Sequence, residues 1–303
     1  MSLICRLVAG CLAIFLCARP ARACSVCGCD PAALTVGLDR PSSGSLRVGL
    51  EDRYLVKESG EGASFEGERE NRLALRAQYA PARGFVAQLD LPFYLWRDHR
   101  GAGGFTDDTA HGLGDAQLTV RYELLRKGGF VPRHVLAVAL ALKLPTGANN
   151  RMGGGDPHLQ LGSGSWDPSV GLWYTFGDHP WTWYAGGVAR LNGEGGRGFH
   201  YGNAVFGTAG VRRAFFDERL VLSLEAQARY AGYDTARTSD PAARAADPDS
   251  GGFLGYATSG AAIALGQDLL LRLQLQLPLV AALHGAQSEH PVGFAGLSWD
   301  FAL

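Results

Sequence analysis

No stretch of this 303-residue chain reaches 18 consecutive apolar residues, so no segment can cross a bilayer as a helix, which needs about 20. Neither charge is in excess: 28 Lys and Arg face 29 Asp and Glu. Without a basic surplus nothing points to nucleic acid, and without an acidic tail nothing points to a polycationic partner. The nucleophile elbow G-x-S-x-G, the phosphate loop G-x-x-x-x-G-K-[ST], the zinc motif H-E-x-x-H and the haem motif C-x-x-C-H are all missing. Their absence removes the sequence support for a hydrolase, a P-loop enzyme, a zincin and a c-type cytochrome. The chain is expected not to be an enzyme.

Cysteine is scarce and confined to one end, with six residues in all and none beyond position 29. Residues 1–23 place Arg6 ahead of an apolar run over 7–18 and then Ala21, Arg22 and Ala23, the three regions of a secretory signal peptide. A run of about 12 residues is too short for a membrane anchor. Export with cleavage after Ala23 is expected, which discards Cys5, Cys11 and Cys17 and makes Cys24 the first mature residue. Two lipidation sites compete with this reading. Cys11 follows Leu7-Val8-Ala9-Gly10 but has no apolar core before it, and at Cys24 the preceding Ala21 and Arg22 match a lipobox poorly. The segment 24–44 then carries Cys24, Cys27 and Cys29 ahead of the first strand.

Glycine is abundant instead, with 42 residues, roughly twice average usage. The apolar stretches between these glycines have a period of two. In 268–283 Leu269, Leu271, Leu273, Leu275, Leu277 and Leu279 share one face while Arg272, Gln274 and Gln276 share the other. The same alternation opposes Leu220, Leu222 and Leu224 to Ser223, Glu225, Gln227 and Arg229, and Leu118, Val120 and Tyr122 to Thr119, Arg121 and Glu123. It predicts twelve strands, at 45–57, 70–80, 84–97, 113–126, 133–145, 165–176, 181–192, 202–216, 219–233, 253–266, 268–282 and 292–303. These exceed the five or six residues or so of an ordinary strand, whereas a tilted membrane strand needs about 9 to 11.

The connections alternate long and short along the chain, as long outer loops and short periplasmic turns do in an outer-membrane barrel with an even strand number. Aromatics near strand ends (Tyr94, Trp96, Trp166, Trp173, Tyr174, Trp181, Trp183, Tyr184, Phe215, Phe216, Trp299 and Phe301) fit interfacial girdles. A soluble sandwich with the same aromatics in its core is the competing reading, but it leaves the loop alternation without a reason. Asp52 sits badly, because it shares a face with Leu46, Val48, Leu50 and Tyr54. The expected architecture is an all-β, antiparallel up-and-down transmembrane β-barrel of about 12 strands over 45–303, with both termini periplasmic.

Gly112-Leu113-Gly114-Asp115, Leu142-Lys143-Leu144-Pro145-Thr146-Gly147 and Leu161-Gly162-Ser163-Gly164-Ser165-Trp166-Asp167 carry a resemblance to a known family. Together they resemble the bacterial outer-membrane barrel family labelled as a transporter of the MetA pathway of phenol degradation. The resemblance implies an outer-membrane barrel and a transporter, and supplies no catalytic residue. The chain departs from the usual barrel-assembly signal by ending in Leu303 instead of an aromatic, with Phe301 on the same face.

If the polar faces line the lumen, Arg47, Glu51, Arg53, Arg72, Arg76, Gln78, Asp90, Asp115, Arg121, Glu123, Glu225, Gln227, Arg229 and Arg272 point into it. Both signs are present, and a twelve-stranded barrel is narrower than the 16 to 18-stranded porins. The reading this favours is a narrow pore for small solutes, ahead of a plugged structural barrel. Ser288 and His290 are the one close pair that could suggest a barrel-embedded lipase, and a chance pair in a loop explains them better. His99, His111, His158, His179, His200, His284 and His290 lack metal-ligand spacing and are expected at loops and turns. The glycines Gly153, Gly154 and Gly155 read as flexible loop rather than phosphate site.

The three mature cysteines leave two readings. A disulfide with a spare thiol is permitted in the oxidising periplasm. Three soft thiolates also suit Cu(I), or Zn with Asp30 as a further ligand. The alternative function is therefore a barrel-anchored periplasmic metal or redox protein built on Cys24, Cys27 and Cys29. The partners expected are outer-membrane lipid, the barrel-assembly machinery and a small solute, with a redox or metal-delivery partner if the alternative holds.

Overall fold

In the computed structural model, residues 41–61, 65–101, 108–128, 132–149, 160–195, 198–238 and 243–303 are described, and every named element among them is a strand. In order these are β1 (Ser45–Ser59), β2 (Glu66–Ala82), β3 (Phe85–Gly101), β4 (Asp108–Leu113), β5 (Gln117–Lys127), β6 (His134–Lys143), β7 (Asp167–Asp178), β8 (Trp181–Arg190) and β9 (Phe199–His200). They continue with β10 (Ala204–Phe215), β11 (Leu220–Ala231), β12 (Thr235–Arg237), β13 (Arg244–Ala246), β14 (Gly252–Ala264), β15 (Leu269–Leu283), β16 (Gln287–Glu289) and β17 (Val292–Ala302).

Twelve long strands pair antiparallel with their neighbours in sequence, and β17 returns to β1, with Ser45 opposite Ala302 and Tyr54 opposite Gly293. The sheet therefore closes on itself and has no free edge. All twelve predicted strands exist with ends within four residues of those expected. The two described chain ends lie together, the Leu303 amide donating to the Gly44 carbonyl at 3.0 Å, at the end of the barrel that carries the short turns. The long connections gather at the opposite end. There β4 adds to β3 and β16 to β1, while β9, β12 and β13 form a separate three-stranded sheet.

The polarity is inverted relative to a soluble protein. Along β5 Leu118, Val120, Tyr122 and Leu124 are 42 to 56% exposed, whereas Gln117, Thr119, Arg121 and Glu123 between them are at most 8% exposed. A barrel that hides its charges and shows its leucines is stable only with lipid against its wall. Among the described residues no helix is long and apolar enough to cross a membrane, so the crossing falls to the strands.

Several side chains differ from expectation. Tyr94, Trp173 and Tyr184 do not join the outer girdles; Trp173 and Tyr184 are 2% and 4% exposed inside the barrel, and Tyr94 borders its cavity. Trp173 turns inward because Gly171 beside it and Gly186 opposite it leave space for the ring, which a Cβ at either position would meet at 2.3 Å. Beyond Leu279 the outer face changes phase, with Val280 exposed and Ala281 and Leu283 turned inward, since the pairing with β14 slips between Gly255 and Tyr256, opposite Pro278 and Val280. Proline lacks the N–H that would continue the ladder, and a bulge reverses the side-chain alternation. His99 belongs to β3 and is 3% exposed, not a loop residue. Asp52 does lie on the outer face, where it accepts from Asn71 Nδ2 at 2.7 Å next to Tyr54, whose ring meets Trp96 edge-on.

Candidate functional site

The barrel interior is built from two kinds of wall. On β1, β2, β3 and β5 the inward faces are charged, and the register sets opposite signs side by side. Arg76 lies directly across from Asp90 and donates to it at 2.6 Å, while Glu51 on β1 reaches the same guanidinium at 3.4 Å. Glu70 lies across from Arg97 and also pairs with Arg53, and Arg97 holds Glu68 at 2.8 Å. Gln78 donates to Gln88, which donates to Asp90 at 2.5 Å. These side chains are mostly buried, and partners on neighbouring strands offset the cost of taking charge out of water.

Across β6, β7, β8, β10, β11 and β14 the inward faces are mixed: Ala139, Trp173, Val188, Ala204, Phe206 and Ala231 pack as one apolar cluster and Leu254 and Tyr256 as a second, beside the buried Arg190, Glu225 and Arg229. Trp173 lies over the two glycines described above. Tyr184 sits over a third, Gly210, where a Cβ would meet its hydroxyl at 2.6 Å.

The three motifs that carry the family resemblance meet at the long-loop end. Asp115, just before β5, accepts the Gly147 amide at 2.9 Å on one oxygen and both the amide and hydroxyl of Ser163 at 2.7 Å on the other. Thr146 Oγ1 accepts the Ala116 amide at 2.8 Å and donates to the Gly114 carbonyl at 3.0 Å. Lys143 bridges Asp115, at 3.6 Å, and the fully buried Asp167, which also accepts the Gly193 amide. Gly147 and Gly162 pass so closely that a Cβ on Gly147 would stand 2.7 Å from the Gly162 Cα. The Ala148 carbonyl accepts the amides of Leu161 and Gly162 at 3.0 and 3.1 Å. The chain over 160–163 is thereby tied to the barrel rim, and Arg97 holds it from the far side by donating to the Gln160 carbonyl at 2.6 Å. The motifs form a structural knot and present no reacting pair.

Beneath this roof lies a cavity of about 130 Å³. Of the side chains expected to face the lumen, Arg53, Arg72, Arg76, Asp90, Asp115, Gln227 and Arg229 border it. Arg47, Glu51, Gln78 and Arg272 border a smaller space of about 20 Å³, where Arg47 pairs with Asp300 at 2.5 Å. Arg121, Glu123 and Glu225 are 4%, 8% and 6% exposed and touch neither space. Leu161 of the third motif lines the cavity too, as do Tyr201, Phe206, Tyr256 and Glu289, which had not been singled out from the sequence. Phe206 and Tyr256 escaped notice because they share their inward faces with Thr208 and Thr258 in strands of small residues, where the alternation is faint.

Ser288 and His290 form no catalytic pair, since both lean on Glu58, the serine donating to it at 3.2 Å and the ring nitrogen lying 3.7 Å away. Cys24, Cys27, Cys29 and Asp30 lie outside the described residues, among which no cluster of His, Cys, Asp and Glu has metal-binding geometry.

A family model described as the MetA-pathway of phenol degradation matches residues 44–262. No curated protein matches the chain. Among solved structures the chain is similar to the COG4313 outer membrane channel from Pseudomonas putida F1, at 18% identity and a TM-score of 0.69 over 90% of this chain and 100% of that one. It is also similar to the translocator domain of the autotransporter NalP from Neisseria meningitidis, at 12% identity and a TM-score of 0.52 over 89% and 92% of the two chains. Both likenesses are to the fold.

Proposed function

Because the chain belongs to the MetA-pathway of phenol degradation family and folds as an outer-membrane barrel, we propose that it is a narrow pore for small solutes in the bacterial outer membrane. The observation that carries this reading is a polar cavity of about 130 Å³ on the barrel's inside, roofed by a tied-down loop, within a wall whose outer surface is apolar. A structural barrel has no need of an interior space lined with arginines; a pore needs charged, water-compatible walls. The structural neighbour that is an outer membrane channel supports it.

The same reading takes 1–23 as an export signal cleaved after Ala23, 24–44 as a periplasmic lead-in, and the short-turn end as periplasm-facing, so that the roofed cavity faces outward. It includes Arg47, Glu51, Arg53, Arg72, Arg76, Asp115, Arg121, Glu123, Glu225, Arg229 and Arg272 as the polar lining along the passage. Insertion requires the barrel-assembly machinery and surrounding lipid. Reconstitution of the purified protein in planar bilayers tests the proposal. Discrete, voltage-tolerant conductance steps are expected, and their complete absence in KCl at any potential sinks it.

A further inference from the structure

Along the outer face of β10 the side chains shrink from one end of the strand to the other. From the short-turn end upward the outward positions are Arg213, Val211, Ala209 and Gly207. The register sets the exposed Trp183 and Leu224 on either side of Val211, and Ala185 and Ala226 on either side of Ala209. The result is a furrow in the apolar wall, a space of about 580 Å³ that reaches Tyr174 on β7 and Leu279 on β15. Its floor stays low past Ala209, because a Cβ on Gly207 would find no atom within 4 Å. Six residues separate Gly207 from Arg213, about 20 Å of strand, or roughly 15 Å across the membrane at the tilt of a barrel strand. That depth is one leaflet of a hydrocarbon core about 30 Å thick.

At the short-turn end of the furrow stands a cation. Arg213 is exposed among interfacial aromatics, its Cζ 5.0 Å from the centre of the Trp181 ring and 4.8 Å from that of Phe215. Rings against the guanidinium plane hold its orientation and leave its N–H edge for an oxyanion, the way arginine takes phosphate. Among the described residues Arg213 has no ion pair: in the adjoining turns Asp178 pairs with Arg133, and Glu218 lies 3.9 Å from His179. Trp183 stacks on Trp181 at 6.4 Å, so the apolar furrow and the cation share one continuous aromatic border.

We propose that the furrow along β10 binds one phospholipid from the leaflet at the short-turn end, its phosphodiester held by Arg213 and one acyl chain laid over Val211, Ala209 and Gly207. On the pore reading this is the periplasmic leaflet. Charge decides the occupant: a second copy of the barrel would bring another apolar wall and no anion, whereas a phospholipid places a phosphate at the interface and a chain one leaflet deep below it.

Native mass spectrometry of the full mature protein released from detergent, with phosphatidylethanolamine or diacylglycerol of the same chains added in turn, tests this. One phosphatidylethanolamine per barrel is expected to be retained, at concentrations at least tenfold below those needed for diacylglycerol, which lacks the phosphate. Arg213→Gln, which removes the cation, and Gly207→Leu, which fills the furrow, should each weaken retention about tenfold, and the glycine variant serves if the arginine variant does not fold. Arg133→Gln, at an exposed arginine of a neighbouring turn, should leave retention unchanged. Equal retention of the two lipids, retention that either furrow substitution leaves unmoved in a folded variant, or an equal loss with Arg133→Gln overturns the site. A dimer that excludes the lipid and that Gly207→Leu dissociates also overturns it and assigns the furrow to a second copy. The furrow lies outside the passage, so both furrow variants should conduct as the unaltered protein does, and failure of the site leaves the pore standing. A barrel that retains the lipid and never conducts overturns the pore and leaves the site.

Discussion

The two halves of the inner wall solve one problem with different materials. A narrow barrel has to fill its interior, because unfilled space forfeits contact energy. The half made by β1, β2, β3 and β5 does so with long charged side chains locked in pairs. The half made by β6, β7, β8, β10, β11 and β14 adds to its buried Arg190, Glu225 and Arg229 an apolar cluster in which Trp173 and Tyr184 are laid over glycines. The difference is that the charged half is polar along its length, while the apolar cluster braces the other half, which reaches the cavity with Phe206 and Tyr256 as well as with Arg190, Gln227 and Arg229. Filling a wall with ion pairs also makes each member depend on its partner, whereas a packed ring depends on volume.

That contrast orders the effects of substitution. The largest is expected from Glu70→Ala, which strips a carboxylate from Arg53 and Arg97 while both stay buried; breaking a buried pair in this way costs about 3 to 5 kcal/mol. Urea unfolding in micelles followed by tryptophan fluorescence reads it, and a loss below about 1 kcal/mol would mean the charged half is solvated enough not to need its pairs. In the apolar half Gly186→Leu drives a side chain into the Trp173 ring, and overpacking of this kind costs about 1 to 3 kcal/mol. If it destabilises more than Glu70→Ala in the same assay, the ranking of the two halves is reversed.

Much of this plan was readable in advance and some was not. The twelve strands follow from a period of two sustained over 10 to 17 residues, which only a wall with two distinct environments produces. The charged half was legible for the same reason, as in Arg47, Glu51 and Arg53 alternating with Val48, Leu50 and Asp52. The apolar half was hidden, since Trp173 reads as a girdle residue until Gly171 and Gly186 are seen to clear space inside. The knot was visible as three motifs but not as one object, because Asp115, Gly147 and Ser163 meet only once β5, β6 and β7 are aligned.

Two smaller effects sharpen the comparison. Asp115→Ala removes the acceptor of three hydrogen bonds that hold the roof to the rim. A stability loss of about 1 to 3 kcal/mol is expected from the donors left behind, together with at least a doubling of single-channel conductance as the roof loosens over the charged half. Unchanged conductance in a folded variant would assign the knot to architecture alone. The smallest effect belongs outside both halves, at the turn-end pair of Arg133 and Asp178, whose side chains are 59% and 62% exposed. Exposed pairs contribute little, so Asp178→Asn should change unfolding by no more than about 0.5 kcal/mol. A larger loss there would show that charge matters wherever it falls and not only in the buried wall.

The tie between Ala148 and Leu161 has a practical reach. Since Ala148 is clasped to Leu161 and Gly162 and, through the bonds of Asp115 to Gly147 and Ser163, to the barrel rim, a foreign peptide spliced between Ala148 and Leu161 would leave the strands below in register, which makes the clasp a permissive insertion point.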